Sequence, residues 1–152
     1  MLLFANSDTF GVVQEAQSEA VADVSLSRQQ RFPRARTSVR AARQFVGDTL
    51  AGWGVSERRD DMRLCVSELA ANAVLHGVPW GREFSVRMVR EAAVVWIEVR
   101  DSGPGRLTVQ HPEPDAERGR GLWLVTALAD EFEIRDERVG KSSRAGFKLA
   151  HT

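Results

Sequence analysis

The feature that most constrains this chain is a change of hydrophobic period near its middle. From Thr37 to Trp53 the apolar residues Val39, Ala42, Phe45, Val46, Leu50 and Trp53 recur at spacings of three and four, as one face of an α-helix requires. "GWGV" interrupts the pattern, and Ser56 followed by "ERRDD" reads as an N-cap that opens a second helix ending at Gly77. Beyond "VPWG" the period becomes two: Phe84, Val86 and Met88 alternate with Ser85, Arg87 and Val89, and "AAVVWIEVRD" supplies a second strand after a turn near Glu91 and Ala92. Two helices followed by a hairpin cannot build the alternating strand–helix order of a parallel sheet. They point to an α+β two-layer sandwich, a mixed, mostly antiparallel sheet with helices on one face.

The flanks fit this architecture. "VSLSRQQRF", residues 24–32, reads as an edge strand ended by Pro33, which has no backbone N–H to donate. Residues 1–23 show no sustained period and are expected to form a poorly ordered arm ahead of a single domain over 24–152. After Asp101 comes a glycine- and proline-rich loop of about 20 residues, a length that in compact domains usually signals a lid or disorder. "LWLVTALAD" then reads as a buried helix starting near Leu122, followed by strands in "EFEIRDERV" and "SSRAGFKLA" around a turn at Gly140.

Composition narrows the class of function. Basic and acidic residues number 21 each, so net charge provides no drive toward nucleic acid or an anionic membrane. The single Cys65 excludes an internal disulfide and a cysteine-based metal cluster, in keeping with a reducing cytoplasm. No apolar run approaches the ~20 residues of a membrane span, and the first ten residues lack the basic start of a signal peptide.

Three short stretches carry chemistry. In "LCVSELAANAVLHG", Glu68, Asn72 and His76 fall on one stripe of a helix that is otherwise apolar nearly all round. Such buried polar groups need partners, and the plain reading is structural bridging. Asp101 ends a strand in phase with inward-facing Val95, Ile97 and Val99 and precedes "SGPG", where Gly103 and Gly105 allow close backbone approach. Taken alone, that stretch is better read as a plain D-x-G-P-G turn. In "ERGRGLWLV", Gly119 and Gly121 lead into a helix, where free N–H groups and the helix dipole favour an anion, with Arg118 or Arg120 adding charge. A flexible loop before a core helix is the plain alternative.

Taken in order, E-x-x-x-N on a helix, D-x-G-x-G after a strand and G-x-G opening a helix resemble the nucleotide boxes of the GHKL, or Bergerat-fold, ATPase superfamily. A Walker-type phosphate loop is absent from the chain. Within the superfamily "VSELAANAVLHG", the short lid, the "F-P…R-x-A-R-x-F" lead into the first helix and the late "GKS" look most like the anti-sigma-factor serine kinases, over residues 32–149. The chain lacks a dimerisation helix bearing an acceptor histidine, which separates it from a full sensor kinase.

The resemblance implies ATP and Mg²⁺ as ligands. It assigns Glu68 as general base, Asn72 as Mg²⁺ ligand and Asp101 as acceptor for the adenine amino group. It implies that Gly103 and Gly105 shape the base pocket, that Gly119, Gly121 and Leu122 begin the phosphate-binding helix, and that Arg118 neutralises developing charge. His76 would line the pocket, and Ser142 would lie on the adenine side. The strand bearing Ser142 departs from the family, with Arg144 at a position usually apolar. The resemblance also implies a sigma factor and a STAS-type antagonist as partners, a homodimer in some members, and a helix-one arginine at the partner interface, best matched by Arg43. Arg28, Arg31, Arg34, Arg36, Arg40 and Arg43 lie in a stretch without acids, either a solvated basic face or a docking surface for an acidic partner. A nucleotide-gated binding protein without transfer, or a scaffold that has lost its nucleotide, are the competing expectations.

Overall fold

The computed structural model describes residues 11–12, 25–77, 82–101, 117–137 and 140–150. The elements run β1 (Gly11–Val12), β2 (Ser25–Pro33), α1 (Thr37–Gly52), α2 (Arg59–Asn72), a π-helical turn (Ala73–Gly77), β3 (Glu83–Glu91), β4 (Val94–Asp101), α3 (Glu117–Leu128), β5 (Glu131–Asp136) and β6 (Lys141–Lys148). The strands form one sheet in the order β1-β2-β3-β4-β6-β5. Every ladder among the described residues is antiparallel. The expected α+β fold is therefore present, with its sheet at the fully antiparallel end of the expectation.

The alternation read from the sequence fixes which side of the sheet meets the helices. Phe84, Val86 and Met88 of β3, Val95, Ile97 and Val99 of β4, and Ala145 and Phe147 of β6 are all buried. They meet Ala42, Phe45, Val46 and Leu50 of α1 and Met62, Val66, Leu69 and Ala70 of α2 in one core. Phe32 stacks on Phe84 with ring centroids 5.5 Å apart and meets Phe45 edge-on at 6.1 Å, tying β2 and β3 to α1. Each large side chain so buried contributes roughly 1.5–3 kcal/mol.

The opposite face is polar and ion-paired. Arg144 of β6 lies there, its guanidinium carbon 3.9 Å from the centre of the Trp96 ring, with Glu133 at 3.8 Å. The position that seemed anomalous for an arginine is thus an outward one, and β6 is a regular strand. Trp96 in turn lies flat over its register partner Gly146, where a Cβ would stand 2.6 Å from the ring.

Three expectations need correction. Ser56 does not cap α2: the N-cap residue is Arg58, in the left-handed region at φ 59°. Its guanidinium donates to the carbonyls of Leu128 at 2.7 Å and Lys148 at 3.1 Å and pairs with Asp130, so long-range bonds hold the turn in place of a local cap. The third helix starts at Glu117, five residues before Leu122, because the glycines at 119 and 121 are taken into its first turns. Nor is α3 buried all round: Leu122 and Val125 face the core while Trp123 is exposed. The expected arm, residues 1–23, lies outside the described residues except for Gly11–Val12, which pair with Ser27 and Leu26.

Candidate functional site

The site forms where the C-terminal half of α2, the start of α3 and the ends of β4 and β6 approach one another. Glu68 is half-buried on α2, and loss of water pushes its carboxyl above the ordinary carboxylate value. α3 crosses it so closely that a Cβ built on Gly121 would stand 2.6 Å from Glu68 Oε1. Only a glycine lets the helix backbone come this near to the carboxylate.

Both glycines fall within the first turns of α3, which runs from Glu117. The first-turn amides of a helix lack intrahelical acceptors and favour an anion, and Gly119 is the third residue of α3. Gly121 is two residues further on. Its missing side chain is what allows the close approach to Glu68. The side chains of Arg118 and His76 lie outside the described residues, as do Gly103 and Gly105. Leu122 is a core residue, 1% exposed, that seats α3 on the sheet.

Asn72 sits one turn beyond Glu68 and is only 6% exposed. Its Nδ2 has no hydrogen-bond partner among the described residues. A buried amide donor left unpaired costs about 1–3 kcal/mol, so a ligand acceptor supplied from outside would relieve it. Its side-chain oxygen is also the kind of hard donor that Mg²⁺ takes. An orphaned amide one turn from a half-buried carboxylate thus fits a Mg²⁺–phosphate group.

α2 changes character immediately after Asn72. Residues Ala73–Gly77 form a π-helical turn, a geometry that frequently accompanies functional sites. Arg34, just past β2, donates from Nε to the carbonyl of Val74 at 2.7 Å and ties the turn to the sheet. Nothing in the sequence marks a π turn, because its residue types suit an ordinary helix equally well.

At the sheet end Asp101 is 6% exposed and keeps the inward phase of Val95, Ile97 and Val99. Its register partner is Lys141, itself 1% exposed, and the partner of Val99 is Ser143. Ser142 pairs with outward-facing Arg100 and donates from Oγ to Glu137 at 2.9 Å. The hydroxyl that shares Asp101's face is therefore Ser143, one residue from the one expected. Period-two counting back from Phe147 and Ala145 carries that signal.

Arg43 is half-buried on α1, and its Nη1 donates to Ser67 Oγ at 2.9 Å, next in sequence to Glu68. Ser67 Oγ donates in turn to the Arg63 carbonyl at 3.0 Å. Among the described residues no group of three or more His, Cys, Asp or Glu side chains gathers as a metal site, and no helix is long and apolar enough to cross a membrane.

A helix pair carrying Glu68 and Asn72, a strand ending at Asp101 and a glycine-bearing helix start, all on one side of an antiparallel sheet, define a class of protein. The family model described as the Histidine kinase-like ATPase domain matches residues 32–145, and the chain belongs to that family. Among curated proteins it is similar to the anti-sigma F factor of Clostridium acetobutylicum, 30% identical over 97 residues that span 58% of this chain and 67% of the relative.

Proposed function

We propose that this chain is an ATP-binding anti-sigma regulator that phosphorylates a serine or threonine of an antagonist protein and sequesters a sigma factor. The observation that carries the reading is a half-buried Glu68 set against Gly121 of α3, with an unpartnered Asn72 amide one turn along the same helix. The family and the anti-sigma F relative support it.

In this reading Asp101 accepts a hydrogen bond from the adenine amino group, with a hydroxyl of β6 beside it. Ser143 is the better placed by register, and Gly103 and Gly105 shape the base pocket. The amides at the start of α3, those of Gly119 and Gly121, receive phosphate oxygens. Arg118 adds charge there, and His76 lines the pocket. Asn72 would hold Mg²⁺, which would supply positive charge to the phosphate oxygens. Glu68 removes the proton from the acceptor hydroxyl as it attacks the γ-phosphorus, the bond to the ADP oxygen breaks, and ADP leaves. A carboxyl held above its ordinary pKa is a stronger base than a solvated one, which suits this role near neutral pH. Arg43 contributes to the partner interface, and the protein works in the cytoplasm, as monomer or homodimer.

Transfer of radiolabelled γ-phosphate from Mg-ATP to the cognate antagonist tests the proposal. The wild-type chain transfers label and Glu68→Ala does not. Nucleotide binding without transfer in the wild type replaces the kinase with a nucleotide-gated binding protein. No nucleotide binding at all defeats both.

A further inference from the structure

The end of the sheet at which Asp101 lies carries a row of charge on its inward face. Cross-strand register sets the members side by side: Lys141 of β6 is the partner of Asp101 on β4 and of Asp136 on β5. The next inward row is Val99, Ser143 and Ile134, and the one beyond it Ile97, Ala145 and Phe132. Both are uncharged, and period-two counting puts all three charged residues in their phase, toward the helices. Register partners in antiparallel strands hold their Cβ atoms about 4.5–5.5 Å apart. A lysine stem reaches that far toward either neighbour.

Burial is unequal along the row. Lys141 is among the most deeply buried large side chains, Asp101 is nearly as enclosed, and Asp136 at the sheet edge is exposed. None of the three is without a partner. Lysine is almost never fully buried unless paired, because its ammonium loses hydration that only acceptors can replace. The two flanking aspartates supply such acceptors. An aliphatic residue would fill the same volume without that penalty, so charge rather than packing accounts for a lysine at this position.

The charge has a chemical consequence for Asp101. An ammonium beside a buried carboxylate favours its ionised form against the burial that favours the neutral acid. Ionised, the group only accepts hydrogen bonds, at about four lone-pair sites, so one contact to lysine leaves sites open to a ligand. Protonated, it also donates through its O–H. An amino group on the six-position of a purine donates, whereas an oxo group there accepts. A carboxylate held as an acceptor pairs with the first and repels the second. We infer that Lys141 sets the base preference of the pocket, its charge holding Asp101 as an acceptor so that the site takes a 6-amino purine and rejects a 6-oxo purine. Lys141 is a positioning residue that acts through Asp101, and Asp136 steadies it from the edge strand. The inference rests on the nucleotide reading of Asp101 given above.

The test is displacement of a ribose-labelled fluorescent ATP from the full chain by ATP and by inosine triphosphate, which carries the oxo group. Wild type is expected to prefer ATP by roughly a hundredfold or more. K141R keeps the charge and is expected to keep most of that preference. K141M and K141Q lose the charge and are expected to narrow the ratio at least tenfold, whatever happens to the absolute affinities. A role in the fold alone would weaken both nucleotides together and leave the ratio unchanged. K141M strips Asp101 of its neighbour's charge and is the variant most prone to misfold. K141Q retains a donor toward the carboxylate, and D101N/K141M leaves no unpaired charge and is expected to bind the two nucleotides within a few-fold of each other. Circular dichroism checks the fold of each. A wild-type ratio in any folded variant lacking the lysine charge, or a K141R as permissive as K141Q, overturns the inference and leaves the nucleotide reading standing. Failure of the wild-type chain to bind either nucleotide defeats that reading and this inference with it.

Discussion

Gly121 and Glu68 are so close that the glycine's missing side chain is occupied by the carboxylate: a Cβ there would stand 2.6 Å from Oε1. The obstructed atom is the end of a flexible side chain, so Gly121→Ala displaces the carboxylate more readily than the helix. Alanine also favours the helix by about 1 kcal/mol over glycine. Gly121→Ala is expected to keep or slightly raise thermal stability while lowering phosphoryl transfer at least tenfold. Calorimetric melting beside a transfer assay checks both, and a variant that is stable and fully active would remove Gly121 from the site.

Glu68 carries a stability cost that depends on pH. Burial raises its carboxyl above the ordinary value of 4.5, so the folded chain holds that proton more tightly than the unfolded chain. Stability from this group is present at low pH and falls as pH rises from about 4.5 through the raised value. Glu68→Gln is expected to unfold at higher urea than wild type at pH 8, with the gap closing near pH 4, while transfer activity is lost. Equal midpoints at both pH values contradict this.

Asn72→Ala removes a buried amide whose donor is unpaired, and leaves a small cavity. The two effects oppose each other, so the stability change is expected to stay within about 1 kcal/mol. Mg-dependent ATP binding is expected to fall by a hundredfold or more in isothermal titration. Normal binding would return this residue to a purely structural role.

Asp130 behaves oppositely to Glu68. The backbone N–H of Lys148, and then the Arg58 guanidinium, hold its carboxyl below the ordinary 3.8. Its stabilisation is complete above that value and is lost as pH falls through the lowered one. Asp130→Asn is expected to lower the unfolding midpoint at pH 7, with the difference from wild type narrowing as pH falls below 3.8, read by chemical denaturation across that range.

Gly146→Ala places a methyl group against the Trp96 ring, with Arg144 on that ring as well. Overpacking of this kind costs about 1–3 kcal/mol. The variant is expected to melt several degrees lower and to shift tryptophan emission to longer wavelength, with nucleotide binding unchanged.

Periodicity made most of the fold legible. The limits of α1 and the inward phase of Asp101 follow from apolar spacing, because burial of one face is what selects each element. The start of α2 was obscured, because Arg58 is held in its left-handed turn by Leu128, Asp130 and Lys148, some 70–90 residues away. In β6 the two adjacent serines are chemically alike, and the ladder alone puts Ser142 against Glu137 and Ser143 beside Val99. The beginning of α3 was misplaced because glycine's poor local preference for helix was overridden by packing against α2.

By itself, the sequence determined the elements, the face each one buries and the residue types available for chemistry, since these depend on near-neighbour spacing along the chain. The tertiary structure decided which of those residues meet. It set Gly121 on Glu68, left the Asn72 amide without a partner among the described residues and joined α1 to α2 through Arg43 and Ser67. Such distances arise from the packing of one helix on another, and no local pattern encodes them.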